Sequence, residues 1–307
     1  MGNARHRISA EHRIYAFCSD VKPALFVESG DEVEFETLDC FSNQIRSCED
    51  KLENLNWSEV NPATGPVFVN GSMPGDVLEI EIIDIEVAER GVMVTGKGLG
   101  PLGERFEEYF TKIVEIKDGK AIFNGLKLPI EPMIGVIGVA PKEGCVNCGT
   151  PGYHGGNLDT KYIKKGAKVL LPVSVEGALL ALGDLHALMG DGEICGTGIE
   201  VPGKVVAKVR VRKGLKLKNP MVICEEGVFA LASAQSLDEA VKCAVENMAE
   251  VITSYSEIPL EELVMLMSIV GDTQISQIVD PLVTARFRMP VNVLRQLGID
   301  VFLDLLG

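Results

Sequence analysis

The chain is short of histidine, tryptophan and positive charge. Four histidines and one tryptophan serve 307 residues, and aromatic residues make up only 6%. With 29 Lys and Arg against 44 Asp and Glu, the formal net charge is −15. That sign argues against nucleic acid or an anionic membrane surface as partner. The longest apolar run, Leu263–Val270, is far too short to span a bilayer. Met1–Arg13 is polar and basic without an apolar core, so it does not read as a signal peptide, and Gly2 lacks the Ser or Thr of a myristoylation site. These absences predict a cytoplasmic protein. In such a compartment the eight scattered cysteines are expected to be reduced thiols.

Several catalytic signatures are also missing. No Gly-x-Ser-x-Gly elbow and no Walker loop occurs. The glycine-rich Gly96–Gly100 is followed by Pro101, outside any strand-turn-helix context. Cys145-Val-Asn-Cys148 is the one Cys-x-x-Cys, and a structural zinc needs four ligands. No fixed-period repeat or low-complexity segment is present.

What remains is globular: 46% hydrophobic residues and 32 glycines. From Arg13 to about Val211 the pattern is strands and turns. Val33, Phe35 and Thr37 alternate with glutamates, as on a half-buried strand. Asp76–Val87 reads as a long strand with a slip at Ile82-Ile83 that predicts a bulge. Asp118-Gly119 between two apolar runs predicts a hairpin, and Lys168–Val173 and Val205–Val211 add strands.

The composition changes near Leu215. Met221–Cys224 and Val228–Ala232 read as a strand pair, and Ser236 with Glu239 opens a helix by a capping box. A second helix starts around Pro259 and stops at Gly271. Strands at Ile275–Val279 and Thr284–Arg288 and a last short helix around Val291–Leu297 follow. The expected fold is β-rich α+β: a sandwich-like or barrel-like body over residues 1–215, with a smaller α+β unit over residues 216–307 packed on it.

The chemistry concentrates in two stretches. His154-Gly-Gly-Asn-Leu-Asp159 offers His154, Asn157 and Asp159. Gly183–Glu193 offers Asp184, His186, Asp191 and Glu193. Imidazole beside carboxylates is the ligand set of a catalytic divalent ion. Asp184 and His186 share a face if the segment is extended. Gly190-Asp191-Gly192 is a turn signal, so Glu193 is expected to begin a returning strand and share that face. Each residue alone also has an ordinary reading, such as a buried histidine bonded to backbone or an aspartate closing a turn. Asp39, at the end of the Val33–Thr37 strand, reads equally as a ligand or a cap.

Taken with Asn61-Pro-Ala-Thr-Gly-Pro66, Gly75-Asp-Val-Leu-Glu-Ile80, Glu36-Thr-Leu-Asp39, Gln277-Ile-Val-Asp280 and Arg286, these stretches make the chain resemble the acetamidase/formamidase family along nearly its whole length. The resemblance implies hydrolysis of formamide or acetamide to the carboxylate and ammonia. It also implies a homo-oligomer (a dimer or trimer of dimers) and a divalent metal, with zinc first and calcium as candidate for a second ion. Carried onto this sequence, its site residues are Asp39, His154, Asp159, Asp184, His186 and Glu193. Cys145-Val-Asn-Cys148 departs from the family pattern.

The working expectation places the metal on Asp159, Asp184 and His186, with Asp39 as a further ligand. Glu193 acts as general base, His154 as a donor to the oxyanion, and Asn157 orients the amide. Two rivals stand beside it: a thiol amidase using Cys195 or Cys148, and a non-catalytic binding or assembly protein stabilised by a metal clamp.

Overall fold

The computed structural model describes residues 4–299; the reading of Gly2, the first residues of Met1–Arg13 and the tail beyond 299 lie outside them. Two large sheets dominate. The first is nine-stranded and runs, edge to edge, Arg5–Ile8, Glu32–Thr37, Gly203–Arg212, Val77–Val87, Lys168–Pro172, Met221–Cys224, Gly227–Ala234, Val283–Met289 and Asp272–Gln277. The second is eleven-stranded. Its main path ends with Tyr109–Lys117, Arg90–Gly96, Glu200–Val201, Leu180–His186, Met133–Gly138 and Gly155–Asn157. Ala63–Val69 joins it beside Leu180–His186.

The alternation in the sequence explains why these sheets stack. Val33, Phe35, Leu78, Ile80, Ile82 and Val205 from the first sheet share one buried cluster with Ile134, Ile137, Leu182, Leu185 and Val201 from the second. Glu32, Glu34 and Glu36 alternate with the buried residues and are half-buried, while Glu79 is fully buried and paired with Arg210 and Arg212. The expected slip is present: Val206 pairs with Asp84 and Ala207 with Ile82, which leaves Ile83 as the bulged residue. Asp118 and Gly119, both at positive φ, close the hairpin between Tyr109–Lys117 and Lys120–Phe123. The fold is β-rich α+β.

The strands beyond residue 215 extend the nine-stranded sheet, through pairing of Met221 with Leu170. Helix α1 (Leu237–Tyr255) starts at Ser236, whose hydroxyl accepts from the Glu239 N–H at 3.3 Å. Its Ala244, Met248, Val251 and Ile252 pack with Val228, Ala230 and Phe287 in a second cluster. Helix α2 (Leu260–Val270) follows Pro259 and ends at Gly271, and α3 (Val291–Gln296) is short. Among the described residues no helix is long and apolar enough to cross a membrane.

Two expectations are corrected. The eight cysteines are not all thiols. Strands Ala16–Cys18 and Cys145–Asn147 pair antiparallel with Cys18 directly opposite Cys145, and the two form a disulfide at a Cα–Cα distance of 4.1 Å. That register, between segments 127 residues apart, is invisible to local pattern. The second correction concerns Glu193. Leu180–His186 does not return through a tight hairpin there; it resumes only at Glu200, because residues 187–199 form a long loop.

Candidate active site

His186 is the last residue of its strand and is 1% exposed. Gly198 packs against its ring: a Cβ there would come within 2.7 Å of the imidazole Cγ. Four carboxylates surround Nε2. Glu200 Oε1 lies 3.2 Å away, Asp184 Oδ1 3.4 Å, Asp159 Oδ1 3.8 Å and Glu193 Oε1 4.0 Å. An N–H···O hydrogen bond is shorter than about 3.2 Å, so at most Glu200 is bonded to Nε2. Separations of 3.2–4.0 Å are instead close to those between ligands of one ion, roughly 3.3 Å for tetrahedral ligands 2.0 Å from a metal.

The backbone contributes in an unusual way. Asp159, Asp184 and Glu193 all hold positive φ, at 40°, 54° and 49°. Non-glycine residues pay to sit there, and such outliers persist where the surroundings over-determine them. Asp184 stands opposite Gly135 in the register. A Cβ on Gly135 would come within 2.5 Å of both Asp159 Oδ1 and Asp184 Oδ2. Glycine is therefore what leaves room for two carboxylates to meet. Simple alternation does not join Asp184 to His186, as the i, i+2 spacing had suggested; the left-handed turn at Asp184 re-aims its carboxylate.

Electrostatically the cluster is unbalanced. Asp159 Oδ1 and Oδ2, Asp184 Oδ1, Glu200 Oε2 and His186 Nδ1 are all buried with no hydrogen-bond partner among the described residues. Burial, then the Asp184 charge, push Asp159 up to about 7. Burial likewise raises Glu200 to about 8 and Glu193 well above its ordinary range. Burial works against a charged His186, but Glu200 and Asp184 outweigh it and raise its pKa well above the usual value. Asp184 is likewise pressed upward by burial, yet His186 holds it below the usual range. One imidazolium against these carboxylates leaves buried charge that only protons or a cation can neutralise. Asp159, His186 and Glu193 each offer a ligand atom within 4.8 Å of one another, and so do Cys40, Asp184 and Glu200. The residues present fit a divalent ion.

The remaining sequence candidates take varied places. Asp39 is buried, and its Oδ1 accepts from the Phe41 N–H (3.0 Å) and the Asn43 N–H (2.7 Å), closing a turn. Burial raises it to about 6, with Asp184 adding to the push. His154 lies edge-on to Phe17 and Tyr153, burial lowers it to about 4, and its Nε2 has no partner among the described residues. Asn157 donates Nδ2–H to Asp280 Oδ2 at 3.0 Å while its Oδ1 is buried and unpartnered. Asp191 turns away from the cluster to Arg286.

Sequence reasoning missed Glu200 and Asp280 as site residues. Glu200 is paired opposite His186 in the register, which is the cross-strand relation expected of Glu193. The signal was a lone carboxylate in the apolar run Ile199-Glu200-Val201. Asp280 is pushed well above the ordinary range by burial and by Asp159. The cysteines offer little as nucleophiles. Burial drives the Cys148 thiol far up, and Cys195 Sγ–H donates to the Thr197 carbonyl at 3.4 Å.

Comparison with known proteins gives one consistent result. The model of the acetamidase/formamidase family matches residues 5–150 and 146–296. A crystal structure described as a recombinant predicted acetamidase/formamidase from Thermoanaerobacter tengcongensis superposes with a TM-score of 0.96 at 58% identity, covering 97% of this chain and 99% of that one. An acetamidase from Bacillus halodurans superposes at 0.93 with 48% identity, covering 95% and 99%. A curated relative, a putative formamidase of Schizosaccharomyces pombe, is 29% identical over 66% of each chain. The chain spans a little under two thirds of the length of the curated relatives it matches, 64–66% of each.

Proposed function

The chain belongs to the acetamidase/formamidase family, and from that premise we propose that it hydrolyses short-chain primary amides, formamide or acetamide, to the carboxylate and ammonia. The observation that carries the proposal is the convergence of four buried carboxylates on His186 Nε2 with their oxygens largely unpartnered. Asp159, Asp184 and His186 would hold a divalent cation of the zinc class, with Glu200 beside them. Such an ion supplies positive charge that acidifies a water and polarises a carbonyl.

The chain's own groups do the rest. Glu193, whose affinity for a proton burial raises well above that of an ordinary carboxylate, would take a proton from water and give it to the leaving nitrogen, since an amide departs only as protonated ammonia. The free Oδ1 of Asn157, whose Nδ2 is tied to Asp280, can accept from the substrate NH₂. His154 is neutral at pH 7 because burial lowers it to about 4, so it can donate an N–H to a developing oxyanion without adding charge. In this reading Asp39 is a cap that keeps the Cys40 segment in place.

Leu260, Val264, Met265 and Ile269 are exposed on α2, which supports self-association; sedimentation velocity reads it. A cytoplasmic location follows from composition, and the Cys18–Cys145 disulfide pulls against it because cytosolic thiols stay reduced.

Ammonia release from formamide, acetamide and propionamide, with metal content measured on the same sample, tests the function. Release from at least one amide by a metal-loaded sample is expected. A sample that carries metal, melts lower on chelation and releases no ammonia would favour the structural-clamp alternative. Rapid inactivation by an alkylating reagent, with indifference to chelators, would favour the thiol amidase.

A further inference from the structure

Glu193 sits on the 187–199 loop, without a strand of its own to fix it. The grip on that loop comes from the C-terminal unit. The Gly192 N–H donates to the Ser276 carbonyl at 2.8 Å, and the Gly192 carbonyl accepts from the Ile278 N–H at 3.3 Å. Next to this, Arg286 on Val283–Met289 is fully buried, the largest such side chain in the molecule's described residues. Its Nη2–H donates to Asp191 Oδ2 at 2.6 Å, two residues before Glu193.

The same guanidinium reaches the other wall of the site. Nη1 donates to Ser276 Oγ at 3.1 Å and to the Ile275 carbonyl at 3.0 Å, and Nε donates to Gln274 Oε1 at 2.9 Å. Ser276 Oγ is 2.6 Å from Thr160 Oγ1, on the residue after Asp159. The guanidinium carbon also stands 4.8 Å over the Tyr162 ring. Desolvating an arginine is costly, and here one donor is spent on the loop that carries Glu193 while the rest hold Gln274–Ser276, whose Ser276 hydroxyl links on to Thr160 beside Asp159. Lys161 Nζ, 3.0 Å from Asp191 Oδ2, adds a second cation on the same carboxylate.

We infer that Arg286 and Asp191 are positioning residues: the buried guanidinium holds the Glu193 loop and the Asp159 segment at a fixed separation, so the C-terminal unit sets the general base on the cluster. The inference rests on Glu193 acting as base in the proposed amide hydrolysis. It explains why a loop residue can hold a left-handed φ and still present its carboxylate.

The test compares wild type, Asp191→Asn, Asp191→Glu and Arg286→Lys by amide turnover, metal content and hydrogen exchange. Asp191→Asn is expected to lower kcat about 10- to 100-fold, with KM and bound metal unchanged and exchange faster only in residues 188–198. Asp191→Glu, which keeps the charge, should recover most of the turnover, and Arg286→Lys should fall further because lysine cannot fork to both walls. Turnover of Asp191→Asn within about threefold of wild type would overturn the inference. So would faster exchange spread through Asp272–Gln277 and Val283–Met289, the mark of a merely structural role. If wild type releases no ammonia, the proposed function fails, while the exchange pattern still decides whether the clamp exists.

Discussion

At the scale of single residues, the site is built by exceptions to ordinary rules. Carboxylates are rarely buried unpaired, yet Asp159, Asp184, Glu193 and Glu200 crowd one imidazole. Glu193→Gln should retain bound metal and lose turnover by about 10²-fold or more, read by kcat and metal analysis; near-normal kcat would remove Glu193 from the base role. Gly135→Ala should be more damaging than its size suggests. Its Cβ would press within 2.5 Å of Asp159 Oδ1 and Asp184 Oδ2, so metal content and activity should fall together. A Gly135→Ala protein with full metal occupancy would show that the two carboxylates do not act as a pair. Asp184, His186 and Glu193 were legible as one candidate group because histidine is scarce and both acids follow a glycine, and the family resemblance drew in His154 and Asp159. Glu200 offered only the weak signal of a lone carboxylate between Ile199 and Val201, and Asp280 was one acid among many; a strand register and a distant loop were needed to place them.

At the scale of elements, period and punctuation carried most of the fold. The Ile82-Ile83 slip, the Asp118-Gly119 turn and the Ser236 cap each rest on local backbone chemistry, and each is present. The long 187–199 loop was not legible. Gly190-Asp191-Gly192 does turn the chain, but the contacts that hold the loop come from Ser276 and Arg286, the latter 95 residues on from Asp191. The disulfide was hidden for the same reason: its register depends on pairing of strands 127 residues apart. Ser236→Ala removes the α1 cap and should cost about 1 kcal/mol of stability, seen as a lower Tm with kcat unchanged. A Tm equal to wild type would mean that packing of α1 on the sheet leaves the cap redundant.

At the scale of the whole molecule, the buried charge ties stability to pH and to metal. In metal-free protein Asp159 is raised from 3.8 to about 7 and Glu200 from 4.5 to about 8. Between these values the unfolded chain has already released protons that the folded chain keeps, so unfolding becomes easier as pH rises. The Tm of metal-free protein should therefore fall as pH rises from about 4 through about 8, and His186, Glu193 and Asp280, whose proton affinities the fold also raises, add to the fall. Asp184, held low by His186, acts oppositely, but only as pH falls below its ordinary range. A bound cation replaces the protons and should flatten the slope; a slope unaffected by metal would place the ion elsewhere. The most direct measurement of the central claim is ammonia release from formamide and acetamide after dialysis against a chelator, followed by titration with zinc. Activity lost on chelation and regained at a fixed metal-to-chain ratio is the predicted result. Full turnover in a sample shown to be metal-free would contradict it.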